Sequence, residues 1–170
     1  MVEIEEKMIQ FIIKAVLETN LEELRLLGRD VDVLRESLQP FNRMSYDELI
    51  EKSASLGMPL KYGDDLGADE ERKIMSNFTR PLFITHFPAE LKTFYHRPDP
   101  DNPKLILCQD LLAPEGYGEV IGGGERIWDL PVNTGPIPSL YSIEYPAFSI
   151  GIAMSEKMIA ASVPRILAAV

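Results

Sequence analysis

Residues 108–126 read Cys-Gln-Asp-Leu-Leu-Ala-Pro-Glu-Gly-Tyr-Gly-Glu-Val-Ile-Gly-Gly-Gly-Glu-Arg, and this stretch decides the fold. The run at 104–112 and the run at 118–122 are both typical of β-strands, and the turn between them contains proline and glycine. A β-rich run bracketed by prolines at 81–88 predicts a further strand, and the proline-rich stretch 97–103 predicts a turn before 104–112. The sequence therefore predicts three neighbouring strands in this part of the chain.

The residues before position 81 show helical patterns instead. We predict helices at 21–27 and 68–78, and a further helix that begins at the capping box Ser45-Tyr46-Asp47-Glu48 and ends at Gly57. The first helix is expected to bury one apolar face, whose residues recur at spacings of three and four: Ile4, Met8, Phe11, Ile12, Ala15 and Val16.

Helices followed by clustered strands predict an α+β fold, with an antiparallel β-sheet flanked by helices. We divide the chain into a helical segment at 1–80 and a sheet segment at 81–129, which together form one domain. The remaining segment, 130–170, is apolar and divergent in composition, because it holds five prolines and only four charged residues.

The charge of the chain limits its partners. With 17 basic and 27 acidic residues among 170, the net charge is −10, so the surface as a whole repels nucleic-acid backbones. The single cysteine cannot form an internal disulfide, and no apolar run approaches the length that spans a membrane. We therefore expect a cytoplasmic protein with no membrane partner.

Residues 108–126 also carry the candidate site. Asp110 and Glu119 fall on predicted neighbouring strands, and two carboxylates that face one cleft supply the oxygen ligands that Mg²⁺ prefers beside a substrate phosphate. The glycines at 122–124 remove side chains where a ligand could approach the backbone, and Arg126 follows at a position able to hold a carboxylate. This chemistry suits the activation of an acid.

Each of these residues has a simpler interpretation when it is taken alone. A triple glycine also forms bulges and flexible turns, and Arg126 fits a surface ion pair as well as a ligand contact. We expect His86 and His96 to be structural or surface residues, and Cys108 to be a small core residue. Only the combination indicates a site.

The order of motifs resembles one known family. Residues 85–95 (Thr-His-Phe-Pro-Ala-Glu-Leu-Lys-Thr-Phe-Tyr), residues 98–104 (Pro-Asp-Pro-Asp-Asn-Pro-Lys) and residues 110–126 together resemble the catalytic domain of class II asparaginyl-tRNA synthetases. The resemblance covers residues 1–129, and the pattern at 110–126 favours the asparaginyl members over the aspartyl and lysyl members.

The resemblance implies both a reaction and roles for residues. Family members join asparagine to ATP and transfer it from the adenylate to the tRNA for asparagine, and they are homodimers built on an antiparallel sheet. By resemblance, Asp110 and Glu119 bind ATP and Mg²⁺, and Glu119 and Arg126 are catalytic. Arg126 contacts the amino acid, and Gly122, Gly123 and Gly124 lie under the adenylate.

The chain also departs from the family pattern. The first two class-defining motifs and the anticodon-binding domain have no counterpart in the sequence, so we expect an incomplete fold and impaired activity of the chain alone. The third motif has only an echo at 148–157, where Lys157 stands in place of the arginine that binds the γ-phosphate of ATP.

The sequence is compatible with two alternative functions. One is an asparagine synthetase-like relative that uses aspartate and ATP with the same Asp110, Glu119 and Arg126. The other is a non-catalytic paralogue that binds an amino acid or another protein. Because the expected sheet has an uncovered edge, homo-oligomer formation through that edge is a further hypothesis.

Overall fold

The computed structural model describes residues 1–128, so segment 130–170 and Lys157 lie outside the described residues. Five α-helices precede or interleave with four strands. The helices are α1 (Val2–Thr19), α2 (Leu21–Leu26), α3 (Val31–Glu36), α4 (Tyr46–Lys52) and α5 (Ala68–Met75). The strands are β1 (Asn42–Ser45), β2 (Leu82–Thr85), β3 (Cys108–Ala113) and β4 (Gly118–Gly124), and a 3₁₀ turn spans Ala89–Leu91.

The sheet has the order β1-β2-β3-β4. Strands β2, β3 and β4 are antiparallel neighbours, as the sequence predicts, and the α+β class with flanking helices is confirmed. Strand β1 pairs with β2 in parallel, so the sheet is mixed and not wholly antiparallel. Strand β1 was not predicted from the sequence, because this strand is only four residues long and runs directly into the capping box of α4.

One face of the sheet packs against α4 and α5. Leu82 and Ile84 of β2 point to this face and are fully buried with Leu49 of α4 and Ile74 of α5. The capping box that begins α4 is present, because the Ser45 side chain accepts from the Glu48 N–H while the Glu48 carboxylate accepts from the Ser45 N–H. The helix ends at Lys52, five residues before the predicted Gly57, whose positive φ serves a later turn.

The opposite face of the sheet is covered by α1. The predicted apolar face of α1 is wrong at Ile4 and Phe11, which are 71% and 73% exposed, whereas Val16 packs against the core as predicted and Ile13 is 4% exposed. Apolar residues surround most of this helix, so their spacing alone could not select the buried side. The actual side carries Glu6, which is also buried and accepts a hydrogen bond from the Phe41 N–H at 2.9 Å.

None of the helices in residues 1–128 is both long enough and apolar enough to cross a membrane.

Candidate functional site

A β-bulge between β3 and β4 brings Asp110 and Glu119 to the same face of the sheet. Asp110 pairs with Gly122, and Leu111 with Ile121, but the register then shifts so that Leu112 pairs with Glu119. Without the extra residue, Glu119 would point to the α1 face, because side chains alternate along a strand. The bulge turns Glu119 toward Asp110 and thereby creates the acidic pair.

Asp110 is the buried member of the pair, with 8% of its surface exposed. Lys92, which follows the 3₁₀ turn, places its Nζ 2.6 Å from Asp110 Oδ2 and 4.1 Å from the centre of the Phe87 ring. Burial raises the pKa of Asp110, although the Lys92 ammonium opposes the shift. Burial acts against the charge of Lys92, but the pull of Asp110 prevails and the pKa of Lys92 is raised. The attraction between the two groups opposes the cost of burying them.

Within residues 1–128, no cation forms an ion pair with the Glu119 carboxylate. Desolvation, the charge of Asp110 and the nearby Glu71 raise the pKa of Glu119 to about 7, against a weaker opposing effect of Lys92. Glu71, on α5, accepts a hydrogen bond from the Glu119 backbone N–H at 2.9 Å. Asp110 and Glu119 thus lie in the cleft with Glu71 and Asp65 nearby, and a cation bound beside them would relieve their repulsion.

The triple glycine makes room for side chains of the protein itself. A Cβ at Gly122 would collide with the Glu119 carboxylate and would lie 3.4 Å from Asp110 Oδ1, so both carboxylates lie over this position. A Cβ at Gly124 would collide with the His96 ring. The Cα of Gly123 faces α1 instead, where a Cβ would lie 2.9 Å from Gln109 Nε2. Contact between these glycines and a ligand stays a prediction.

Arg126 stands at the end of β4 across the cleft from the acids. Its guanidinium lies over the Tyr95 ring at 4.1 Å, and its backbone forms a bridge with His96. Its Nη1 is buried and has no hydrogen-bond partner within residues 1–128. A buried guanidinium donor without a partner costs free energy until an acceptor binds, so this atom is a candidate contact for a ligand oxygen.

These groups line one open cleft of about 440 Å³. The cleft is lined by Lys92, Tyr95, His96, Asp110, Glu119 and Arg126, together with the backbone of Gly122 and Gly123. The structure therefore brings together every site residue predicted from 110–126 except Gly124, which lies beneath His96.

Two residues that line the cleft, Lys92 and Tyr95, and one that supports it, Glu71, were not predicted from the sequence. Lys92 and Tyr95 belong to the motif at 85–95, but nothing in their spacing predicts that they face Asp110 and Arg126. Glu71 lies 48 residues from Glu119 in the chain, and only the packing of α5 reveals its contact.

The histidines and the cysteine occupy structural positions. His96 Nδ1 lies 3.1 Å from Thr93 Oγ1, and burial followed by the charge of Arg126 lowers the pKa of His96. His86 Nδ1 lies 2.8 Å from Thr85 Oγ1. Cys108 is a buried core residue, as predicted, and burial raises the pKa of its thiol to about 11.

The acidic pair fits Mg²⁺ in the chemistry of its donors. Carboxylate oxygens are hard ligands, and Mg²⁺ is commonly held by one or two carboxylates while substrate phosphates and water complete its shell. Within residues 1–128 no group of three His, Cys, Asp or Glu side chains is arranged to hold a metal ion by itself. Asp110 and Glu119 would thus form a site that a bound nucleotide completes.

Comparison with known proteins places this geometry in a family. The chain is 54% identical to an asparagine–tRNA ligase of Thermoplasma acidophilum over 76% of its length, and 46% identical to one of Pelotomaculum thermopropionicum over the same share. The chain spans only 30% of the length of each of these relatives.

A solved structure agrees with the sequence relatives. The asparaginyl-tRNA synthetase of Pyrococcus horikoshii, complexed with asparaginyl-adenylate, superposes with a TM-score of 0.71 at 42% identity. The match covers 75% of this chain and 29% of that one. The model of the family described as tRNA synthetases class II (D, K and N) matches residues 1–134. The chain therefore belongs to the class II tRNA synthetase family that comprises the D, K and N enzymes.

Proposed function

We propose that the cleft of this chain is the amino-acid side of an asparagine-activating site, at which ATP and asparagine form asparaginyl-adenylate. The observation that carries the proposal is the side chain of Arg126, which lines the same cleft as Asp110 and Glu119 and whose Nη1 has no partner in residues 1–128. An oxygen of the amino acid would accept from this donor, and a charge-assisted bond of that kind is stronger than a neutral one.

The charge of the cleft favours asparagine over aspartate. Three carboxylates, Glu90, Asp110 and Glu119, line the cleft with two cations, Lys92 and Arg126, and Lys92 is already paired with Asp110. The side-chain carboxylate of an aspartate substrate would be repelled by the carboxylates of the cleft. The neutral side-chain amide of asparagine would not be repelled. The names of the two ligase relatives support the same substrate.

ATP and Mg²⁺ are part of the proposal. Asp110 and Glu119 would hold the ion, which when bound would neutralise the charge of the nucleotide phosphates. The residues of the chain would orient the reactants: Arg126 holds the amino acid, and the bond from Lys92 aligns the Asp110 carboxylate. Gly122 leaves room above β4 for both carboxylates.

Transfer to the tRNA for asparagine, and a cytoplasmic location where that product serves protein synthesis, are proposals at the level of the whole enzyme. They rest on relatives of which this chain spans 30%. We also propose that residues 1–129 form part of the catalytic domain, with 130–170 as a divergent segment. Binding of the γ-phosphate by Lys157 and self-association through a sheet edge stay predictions.

Calorimetry tests the proposal on the full chain. The ligand is asparaginyl-sulfamoyl-adenosine, a stable mimic of the adenylate, titrated in the presence of MgCl₂. We expect saturable binding that Arg126→Ala weakens by about 10-fold to 100-fold, because the variant removes a charge-assisted hydrogen bond. Arg35→Ala is the matched control, since the Arg35 side chain lies outside the cleft and forms an ion pair with the exposed Asp32 on α3.

The aspartyl analogue supplies the second arm of the experiment. Tighter binding of the aspartyl analogue would overturn the assignment of asparagine and favour the asparagine synthetase-like alternative. Equal binding by wild type and Arg126→Ala would overturn the role of Arg126. Binding of asparagine without any contribution from nucleotide or Mg²⁺ would favour the non-catalytic paralogue.

A further inference from the structure

The position of Glu119 depends on a backbone irregularity that needs support. The bulge leaves Val120 as an extra residue, and Val120 and Ile121 both pack against the cluster of Phe41, Phe83 and Leu111. Glu119 can face Asp110 only while this arrangement holds. A regular register would turn its carboxylate to the other side of the sheet.

Helix α5 contacts β4 at this point through Glu71. Its Oε2 accepts a hydrogen bond from the Glu119 backbone N–H at 2.9 Å. The preceding residue is Gly118, which has a φ of 73°, and a Cβ there would lie 2.6 Å from the same Glu71 oxygen. Only glycine therefore permits both the turn of the backbone and the close approach of the carboxylate.

The Glu71 carboxylate lies near the like charge of Asp110. A side chain that only filled space at the α5–β4 contact would need no polar atom there, whereas an acceptor for the Glu119 N–H needs an oxygen within hydrogen-bond distance.

We infer that Glu71 is a positioning residue that fixes the backbone of Glu119 at the bulge, so that the Glu119 carboxylate stays beside Asp110 and the two hold one divalent cation. This inference rests on the proposed function, because it assigns Glu71 to the same Mg²⁺ site. Glu71 acts through the backbone of Glu119 and does not itself ligate the ion.

Mn²⁺ titration of the ¹⁵N-labelled full chain tests the inference, with MnCl₂ as the probe. Paramagnetic broadening of the Asp110 and Glu119 amides reports occupancy of the site without any measurement of activity. We expect Glu71→Ala to need at least about 10-fold more Mn²⁺ for half-maximal broadening, as is typical when a partner of a metal ligand is lost. Hydrogen exchange of the Glu119 amide should accelerate in the same variant.

Three variants separate positioning from charge and from folding. Glu71→Gln keeps an oxygen acceptor without the charge and should stay within about 3-fold of wild type, whereas Glu71→Asp is too short to reach and should lose affinity as Glu71→Ala does. Asp69→Ala, on the exposed side of α5, is the control for loss of a charge near the helix start.

The outcomes distinguish the inference from the proposed function. If wild type broadens at Asp110 and Glu119 but the Ala and Asp variants match it, Glu71 is not a positioning residue and the metal site stands. If Glu71→Gln loses as much affinity as Glu71→Ala, charge and not the hydrogen bond is responsible, and the inference is overturned. If wild type shows no broadening at these amides, the proposed Mg²⁺ site fails and the role of Glu71 fails with it.

Discussion

Glu119→Gln should make this protein more stable above neutral pH. The pKa of Glu119 is raised from 4.5 to about 7 by desolvation and by the charge of Asp110. A group whose folded pKa lies above its unfolded value favours folding only while it is protonated. Its contribution is therefore complete below the unfolded pKa and is lost as the pH rises through about 7.

The size of the effect follows from the shift. Each pKa unit corresponds to about 1.4 kcal/mol, so the full shift amounts to about 3 kcal/mol, of which about 2 kcal/mol falls between pH 5.5 and pH 8. The Glu119 side chain opens to the solvent of the cleft, and screening reduces the value to about 1 kcal/mol.

Urea denaturation at about pH 5.5 and about pH 8 measures this contribution. From about pH 5.5 to about pH 8, the free energy of unfolding of the wild type should fall by about 1 kcal/mol more than that of Glu119→Gln. The variant should therefore be the more stable protein at the higher pH. Glu90→Gln, an exposed carboxylate at the rim of the same cleft, is the control for removal of one acid. If wild type and Glu119→Gln show the same pH dependence of stability, the ionisation of Glu119 does not destabilise the folded protein.

Two further substitutions test the packing that positions the cleft. Gly124→Ala should lower the free energy of unfolding by about 1–3 kcal/mol, measured by urea denaturation, because the added Cβ collides with the His96 ring; an unchanged stability would contradict the close packing. Glu6→Ala should cost about 2 kcal/mol in the same assay, because it removes the acceptor of the Phe41 N–H and the partner of Arg43. Burial opposes the charge of Glu6, but its bonds to Arg43 and Phe41 prevail and lower its pKa. The contribution of Glu6 to the free energy of unfolding should therefore fade as the pH falls through that pKa. If Glu6→Ala costs as much stability in acid as at neutral pH, the ionised form of Glu6 is not responsible.

Local sequence signals predicted the elements that depend on few residues. The capping box at Ser45 and Glu48 specified the start of α4, because its two hydrogen bonds join residues three apart. The proline and glycine between β3 and β4 specified a turn, and the structure places Glu115 and Gly116 there with positive φ.

Features that depend on tertiary packing could not be predicted in this way. The buried side of α1 includes Glu6, which accepts from the Phe41 N–H, and an acid would not be assigned to a core face from periodicity. Strand β1 exists because β2 pairs with it, and its four residues carry no distinct pattern of their own.

Some residues of the candidate site could likewise be predicted from the sequence, and others could not. Asp110, Glu119 and Arg126 were predicted because they lie within 17 residues of one another in the sequence. The sequence pattern does not reveal the bulge that turns Glu119 toward Asp110, although it is the reason these carboxylates form a pair. Lys92 reaches the cleft, and Glu71 reaches the Glu119 backbone, from other elements, and so only the fold identifies them.

The central claim is that this cleft binds asparaginyl-adenylate. Its most direct test is the mapping of amide chemical shifts in the ¹⁵N-labelled full chain during titration with asparaginyl-sulfamoyl-adenosine and MgCl₂. The largest chemical-shift changes are expected at residues 90–96, at Asp110 and at residues 119–126. The amides on the exposed face of α1 around Ile4 and Phe11 should stay unchanged. Changes centred on α1, or no changes in the cleft at saturating ligand, would contradict the claim.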